Sequence, residues 1–374
     1  MGKGRSSPFA TALSPTLSRS SVAGEGMGCR SAITLPAIQS VAGRASGRIG
    51  WGMVRFLGGY RSFFCVWLLA LQGWSGEVST KPLERSVGLL RDVQLRDGVV
   101  PLSPTPGKRS ELGVLPASKG SNRPAWFLAQ WNSRLPLTPS QALPGRGGAT
   151  NEGRQVLFLP GEGRAGGLEL GVDSRADYQG ILRTNASQPW PHLLIEQDVQ
   201  GCPPLSDMLR LDFELEVQLT TARRFEPTGY SPSLHAAQFQ WVLTLQNQRR
   251  DSPGFGDFLW FVVPIYDDRH ASPPRYVPAD FADPSAKLIY NPGAAAFCDE
   301  PVRVGRWVRF HADLRPHLME ALKTAWAKGY LAGSKDPADY RVSSVNLGWE
   351  VPGLNQVAVR VRGMRLDAAV RSGL

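Results

Sequence analysis

Residues 257–268 read DFLWFVVPIYDD, and this stretch restricts the fold more than any other feature of the chain. From Phe258 to Ile265 it carries neither a charge nor a hydroxyl, and it is built from aromatic and β-branched types that suit a pleated, packed surface. Odd and even positions are both apolar, so a strand made from it must be covered on both faces. Pro264 argues against a helix, and the run is far shorter than the roughly 20 residues of a bilayer span. Such a strand belongs in the middle of a layered β-structure.

Strands of the other kind surround it. In residues 209–219, Leu209, Leu211, Phe213, Leu215, Val217 and Leu219 take one face, and Arg210, Asp212, Glu214, Glu216 and Gln218 take the other. Residues 238–246 repeat the scheme, with Phe239, Trp241, Leu243 and Leu245 inward and Gln238, Gln240, Thr244 and Gln246 outward. Further strands are expected over 125–132, 155–159, 168–172, 192–199, 287–290, 306–314, 340–349 and 356–367. One helix is expected from Pro316, with Asp313 near its cap, a stripe of Leu318, Met319, Leu322, Ala325 and Trp326, and Gly329 at its end. Many strands, one helix and no βαβ rhythm give an all-β fold, an antiparallel two-sheet sandwich (jelly-roll or concanavalin A-like) with one packed amphipathic helix.

The sandwich is expected to occupy residues 125–374 as a single domain, preceded by an irregular Pro-rich lead-in over 76–124. Residues 53–75 have the layout of a secretory signal peptide: Arg55 and Arg61, the apolar run FFCVWLLAL at 63–71, and small residues before a cleavage site after Ser75. Retention of that run as a membrane anchor is the alternative. Residues 1–52 are expected to be disordered, or an over-extended gene start. The location that follows is secreted, or periplasmic and cell-envelope, with no membrane contact after cleavage.

Charge excludes one class of partner. Of 42 Lys and Arg, eight fall within residues 1–76, and of 32 acids one does, which leaves 34 bases and 31 acids downstream. A body so nearly balanced has no electrostatic footprint for nucleic acid. Beyond residue 76 two cysteines remain, Cys202 and Cys298, and an exported chain with one such pair is expected to form one disulfide, two buried free thiols being the alternative. No Cys/His spacing of a metal site, phosphate-binding loop or nucleophile elbow is present, so no cofactor is expected, with Ca²⁺ as the one open possibility.

Residues 126–368 resemble the secreted bacterial β-sandwiches that handle carbohydrate: Trp and Tyr on long strands, Gln, Asn and Asp between them, a leader and a single cysteine pair. The resemblance implies a poly- or oligosaccharide partner. His235-Ala236-Ala237-Gln238 departs from the Gln-x-His of the alginate-lyase type, and Asp212-Phe213-Glu214-Leu215-Glu216 has the spacing but not the residue order of the β-glucanase Glu-x-Asp-x-Glu.

Three constellations are candidate sites. Asp212, Glu214 and Glu216 project from one strand face about 6.5–7 Å apart and could serve as nucleophile, proton-balancing group and general acid, or form a solvated outer face. Tyr266, Asp267, Asp268, Arg269 and His270 follow the central run and could bind sugar hydroxyls or Ca²⁺, or make a polar turn. Trp349 and Glu350, beside a turn, could offer a sugar ring a flat apolar surface and a hydroxyl acceptor, or Trp349 could be core. Three functions stay open: an exported non-catalytic carbohydrate-binding sandwich, a glycoside hydrolase or polysaccharide lyase on the same scaffold, and an exported structural or interaction protein without a sugar ligand.

Overall fold

The computed structural model describes residues 84–116, 122–143, 147–161, 166–280 and 287–372. Residues 1–83, which include the expected leader, lie outside them.

Among the described residues the chain forms two face-packed sheets. The smaller runs β13 (Trp307–Asp313), β8 (Met208–Arg224), β15 (Asn355–Arg371), β6 (Gly167–Asp173), β5 (Arg154–Leu159), β4 (Gly148–Thr150), with β1 (Glu84–Gly88) on β15. The larger runs β11 (Ala279–Asp280), β12 (Lys287–Tyr290), β10 (Phe258–Asp267), β9 (Gln238–Asn247), β14 (Tyr340–Glu350), β7 (His192–Asp198), β3 (Trp126–Ala129), β2 (Val99–Pro101). Pairing is antiparallel except for β10 with β12 and β2 with β3, which are parallel. The expected two-sheet sandwich is the fold observed.

Alternation is what welds the sheets. Leu211, Phe213, Leu215 and Val217 of β8 face Phe239, Trp241, Leu243 and Leu245 of β9 in one continuous buried cluster. The Phe213 ring meets Trp241 edge-on at 5.1 Å between centroids. Among the described residues two α-helices form where one was expected: a short α1 (Ser174–Tyr178), and α2 (Leu314–Ala327), which lays Leu314, Leu318, Ala321, Leu322 and Ala325 into that cluster. It starts two residues before Pro316 because the Asp313 carboxylate accepts the Arg315 N–H and so caps the helix. The same oxygen accepts the Leu211 N–H, which ties the helix start to β8. Among the described residues no helix is long and apolar enough to cross a membrane.

Two expectations change. The stretch expected as irregular lead-in carries β1 and β2, and its Val99 and Leu115 are fully buried in the main cluster. Its prolines punctuate short strands that close sheet edges. The second change concerns the expected disulfide: Cys202 and Cys298 are both free. Cys202 is buried beside Val342 of the larger sheet, and burial pushes its thiol up to about 12. Cys298 lies in the loop before β13, the edge strand of the smaller sheet, where its Sγ faces the Glu300 backbone at 3.2 and 3.4 Å. An even cysteine count pairs only residues that the fold brings together.

Phe213→Ala should lower unfolding stability by about 3–5 kcal/mol, since it empties a core position. Glu216→Gln, which loses one half-exposed ion pair to Arg362, should change it by less than about 1 kcal/mol. Urea unfolding of both variants checks the pair, and the reverse order would mean that β8 faces the other way.

Candidate functional site on the outer face of the larger sheet

The face of the larger sheet turned away from the smaller one is not a solvated surface. Residues of β3, β7, β9, β10 and β12, together with Trp131, form a second buried apolar cluster there: Ala129, Trp131, Leu194, Val242, Phe258, Trp260, Val262 and Ile289. This explains why both faces of β10 are apolar. Polar residues that share this face are therefore held in a dry environment, where each hydrogen-bonding atom left without a partner is costly.

Register places them. On β14 and β7, Glu350 stands opposite His192 and Asn346 opposite Glu196, with Gly348 opposite Leu194 between them. Glu350 is buried, and its carboxylate accepts from the Trp190 indole N–H at 3.3 Å and from Gln240 Nε2 at 3.1 Å. His192 Nε2 lies 3.6 Å from the same Oε2 that faces Trp190. The imidazole is stacked on Trp190 at 5.6 Å and meets Trp131 edge-on at 5.4 Å.

Trp190 is delivered by a loop whose shape Arg183 determines. That guanidinium donates to the carbonyls of Asn185, Ala186, Gln188 and Leu234 and lies over the Trp190 ring at 4.8 Å.

Glu196, four residues along β7 from His192, occupies a different environment. It is buried, and its Oε1 accepts from Arg109 at 3.0 Å, while Arg109 also bridges to Asp198 and lies over the Phe127 ring at 5.0 Å. Its Oε2 is buried with no hydrogen-bond partner. Burial outweighs the attraction of Arg109, and the Asp198 charge adds to it, so the carboxyl is pushed up to about 7. The face thus carries one carboxyl that burial pushes up to about 7 and a second carboxyl that receives N–H donors.

The sequence-derived candidates fall elsewhere, Glu350 excepted. Asp212, Glu214 and Glu216 lie on the outer face of the smaller sheet, each paired with arginine: Asp212 with Arg210 and Arg365, Glu214 with Arg309, Glu216 with Arg362. Arg309 on β13 and Arg362 and Arg365 on β15 flank the acids, so no bond is bracketed by two free carboxyls. Of the two readings of Trp349, ligand surface and core, the structure gives core. Strand β14 runs through Glu350, so the two neighbours point to opposite faces; Trp349 is fully buried, packs on Phe239 and donates its indole N–H to the Leu170 carbonyl.

The turn after β10 is internally satisfied. Asp267 accepts from Arg269 and Gln238, Asp268 accepts from the Ala237 N–H and Asn355, and His270 is exposed. Tyr266 packs edge-on against Trp349 at 5.9 Å, and burial pushes its phenol up to about 12. Ca²⁺ would have to displace Arg269 and the backbone from these two carboxylates. Among the described residues no group of three or more His, Cys, Asp or Glu could hold a metal ion.

A surface pocket of about 360 Å³ opens beside β13, lined by Cys298, Asp299, Glu300, Arg306, Arg309 and His311 among others; Arg306 pairs with Glu300, and Arg309 pairs with Glu214 of β8. Sequence reasoning missed Glu196, Trp190, Gln240 and Arg109. The available signal was Glu196, an acid inside the apolar strand text HLLIEQ, two residues from Leu194 on its own face.

No family model matches the chain, and no curated protein matches it. Among solved structures it is similar to a family 12 xyloglucanase from Bacillus licheniformis in complex with ligand, at 10% identity over 76% of this chain and 98% of that one, with a TM-score of 0.36. It is also similar to the family GH12 endoglucanase 3 of Trichoderma harzianum, at 11% identity over 60% and 84% with a TM-score of 0.33. A third is the family 11 xylanase of Neocallimastix patriciarum, at 10% over 60% and 95% with a TM-score of 0.31. At these values the likeness assigns no residue here.

The Glu196 environment has a signed consequence for stability. Its folded-state carboxyl titrates at about 7, above the 4.5 of the free side chain, so between those values the folded chain binds the extra proton. Stability from this group is full below about pH 4.5 and is lost as pH rises through 7, by up to about 3 kcal/mol. Glu196→Gln should remove that decline in denaturant unfolding measured from pH 4.5 to 8; an unchanged slope would mean that Glu196 is ionised throughout.

Proposed function

We propose that this chain hydrolyses glycosidic bonds, with Glu196 as general acid and Glu350 as base on the outer face of the larger sheet. The observation that carries the reading is the pair itself: two glutamates on neighbouring strands of one buried face, one pushed up to about 7 with an unbonded oxygen, the other an acceptor of two N–H groups. Pairs of carboxyls set apart by environment are what acid–base hydrolysis requires. Glu196 protonates the leaving glycosidic oxygen, water attacks the anomeric carbon, and Glu350 takes the proton from that water.

The stagger favours inversion. The two glutamates sit four residues apart along neighbouring strands, which is about 13 Å along the strand axis. A separation of that size excludes the roughly 5 Å pair of a double displacement and leaves the wider pair of a single displacement, which has room for a water. Export accompanies the reading, supported by the residue pattern at 53–75: secreted material should begin at or near Gly76 by N-terminal sequencing, and retention of residues 1–52 would remove this part.

The second reading, non-catalytic carbohydrate binding, is favoured by Arg109, which already holds one oxygen of the acid. One experiment separates them: a glycan array on the chain, followed by reducing-end release on every glycan bound. Hydrolysis with inversion of the anomer, lost about 1,000-fold or more in both Glu196→Gln and Glu350→Gln, supports the first reading. Binding without release supports the second. Unsaturated products would point to a lyase, and neither binding nor cleavage would leave a structural or interaction role.

A further inference from the structure

We propose that His192 is the positioning residue of Glu350, locked in one tautomer so that its bare Nε2 and the Glu350 carboxylate share a single proton. The inference rests on the reading of Glu350 as a base.

The tautomer follows from what each nitrogen faces. Nδ1 lies 2.9 Å from the Trp190 carbonyl oxygen, which can only accept, so Nδ1 carries hydrogen whatever the charge of the ring. In the neutral ring Nε2 is then a lone pair. That atom is buried, has no hydrogen-bond partner, and stands 3.6 Å from Glu350 Oε2. Two electron-rich atoms facing each other in a dry site either repel or take up a proton between them. One proton turns the contact into Nε2–H donating to Oε2.

The ring has no easy way out. Trp190 stacks on it and Trp131 abuts it edge-on. A flip would move the donor away from the Trp190 carbonyl, which Asn132 Nδ2 also holds at 3.1 Å.

The groups around the ring localise the proton at this contact. From β14 comes the Glu350 carboxylate, and from the loop the Trp190 indole with the Arg183 cation over it. From β9 come the neutral Gln240, on Glu350, and Gln238, which donates to Asp267. Along β7 itself the next acid is Glu196, four residues away. Arg183 disfavours added positive charge on that side and Glu350 attracts it on the other.

His235 is the contrast. It carries its hydrogen on Nε2, donating to the Arg183 carbonyl at 2.8 Å, and its Nδ1 accepts the Ser231 N–H at 2.8 Å. Both its nitrogens are spent, so a further proton would break a bond. Of these two buried histidines that hold the loop between Arg183 and Trp190, His192 is the one with an unused lone pair.

The consequence for the site is direct. With the contact unprotonated, Glu350 Oε2 can take the proton of the attacking water. With the proton in place, Nε2–H saturates that oxygen and the base is blocked. Acidification therefore switches the base off through His192.

Long-range ¹H–¹⁵N spectra of the full chain test the tautomer without any substitution, and should show His192 protonated at Nδ1 and bare at Nε2 near neutrality. The opposite tautomer overturns the proposal. Indole fluorescence tests the proton: acid places a cationic imidazole against Trp131 and Trp190, so emission should fall with pH in the wild type and not in His192→Gln. Equal quenching in both overturns it. In turnover, the acid limb of kcat/KM should move to lower pH by about one unit or more in His192→Gln, and an unmoved limb counts against the proposal. A chain that cleaves no glycan would defeat the assignment of Glu350 as a base, while spectra and fluorescence would still decide the tautomer and the shared proton.

Discussion

The larger sheet has to bury both of its faces, and the rest of the structure follows from meeting that demand. Its inner face is ordinary: Phe239, Trp241, Leu243 and Leu245 close on β8. Its outer face mixes apolar rings with Glu196, Glu350, Gln240 and His192, all of them buried. Each polar atom there must find a partner or remain a local debt of free energy. Most of them do. Glu350 takes N–H groups from Trp190 and Gln240, Ser344 donates to Thr244, and Arg109 closes on Glu196 and Asp198. Among the described residues, Glu196 Oε2 and His192 Nε2 are buried there with no hydrogen-bond partner. They sit on the same strand, four residues apart and on the same side.

Residue pattern alone made the architecture legible and the site mostly not. The two-faced apolar run of β10 required a covering layer on each side, and the second cluster is that layer. The alternation of β8 separated core from exterior correctly, because Leu, Phe and Val alternate there with charged residues that reach arginine and water. The same alternation misleads on β9. Gln240 and Thr244 read as solvent-facing, yet both are buried. Period-two patterning reports which residues share a face, not whether a polar face is wet. The three carboxylates of β8 drew notice because they are close in sequence, whereas Glu196 and Glu350 are placed on neighbouring strands of one face by antiparallel pairing across some 150 residues of chain. Glu350 was picked for its neighbour Trp349, a partnership that strand geometry forbids. The cysteines failed for a similar reason: their number says nothing about which sheet each one sits against.

The two glutamates also show why residue type underdetermines chemistry. Both are buried, and both lie on the same sheet face, one strand apart. Glu196 meets a single arginine that is shared with Asp198, so desolvation prevails and its carboxyl titrates near neutrality. Glu350 meets neutral donors on one side and an imidazole on the other. The difference comes from Arg109, Trp190 and Gln240, three residues from three separate parts of the chain. No window of sequence around either glutamate contains them.

The loop that carries Trp190 brings these threads together. Arg183 uses its donors on carbonyls of residues 185, 186, 188 and 234, and His235 holds the Arg183 carbonyl in turn. A surface loop held by that many bonds is rigid for a reason that its own stability does not supply, because simply shortening it would leave fewer backbone groups to satisfy. What the rigidity delivers is the position of one indole and one carbonyl. The indole N–H reaches Glu350, and the carbonyl decides which nitrogen of His192 carries hydrogen. Were the loop loose, the imidazole could adopt either tautomer, and its Nε2 would as readily donate to Glu350 as face it bare. Fixing the carbonyl removes that freedom and leaves a single contact at which one proton changes the state of the site.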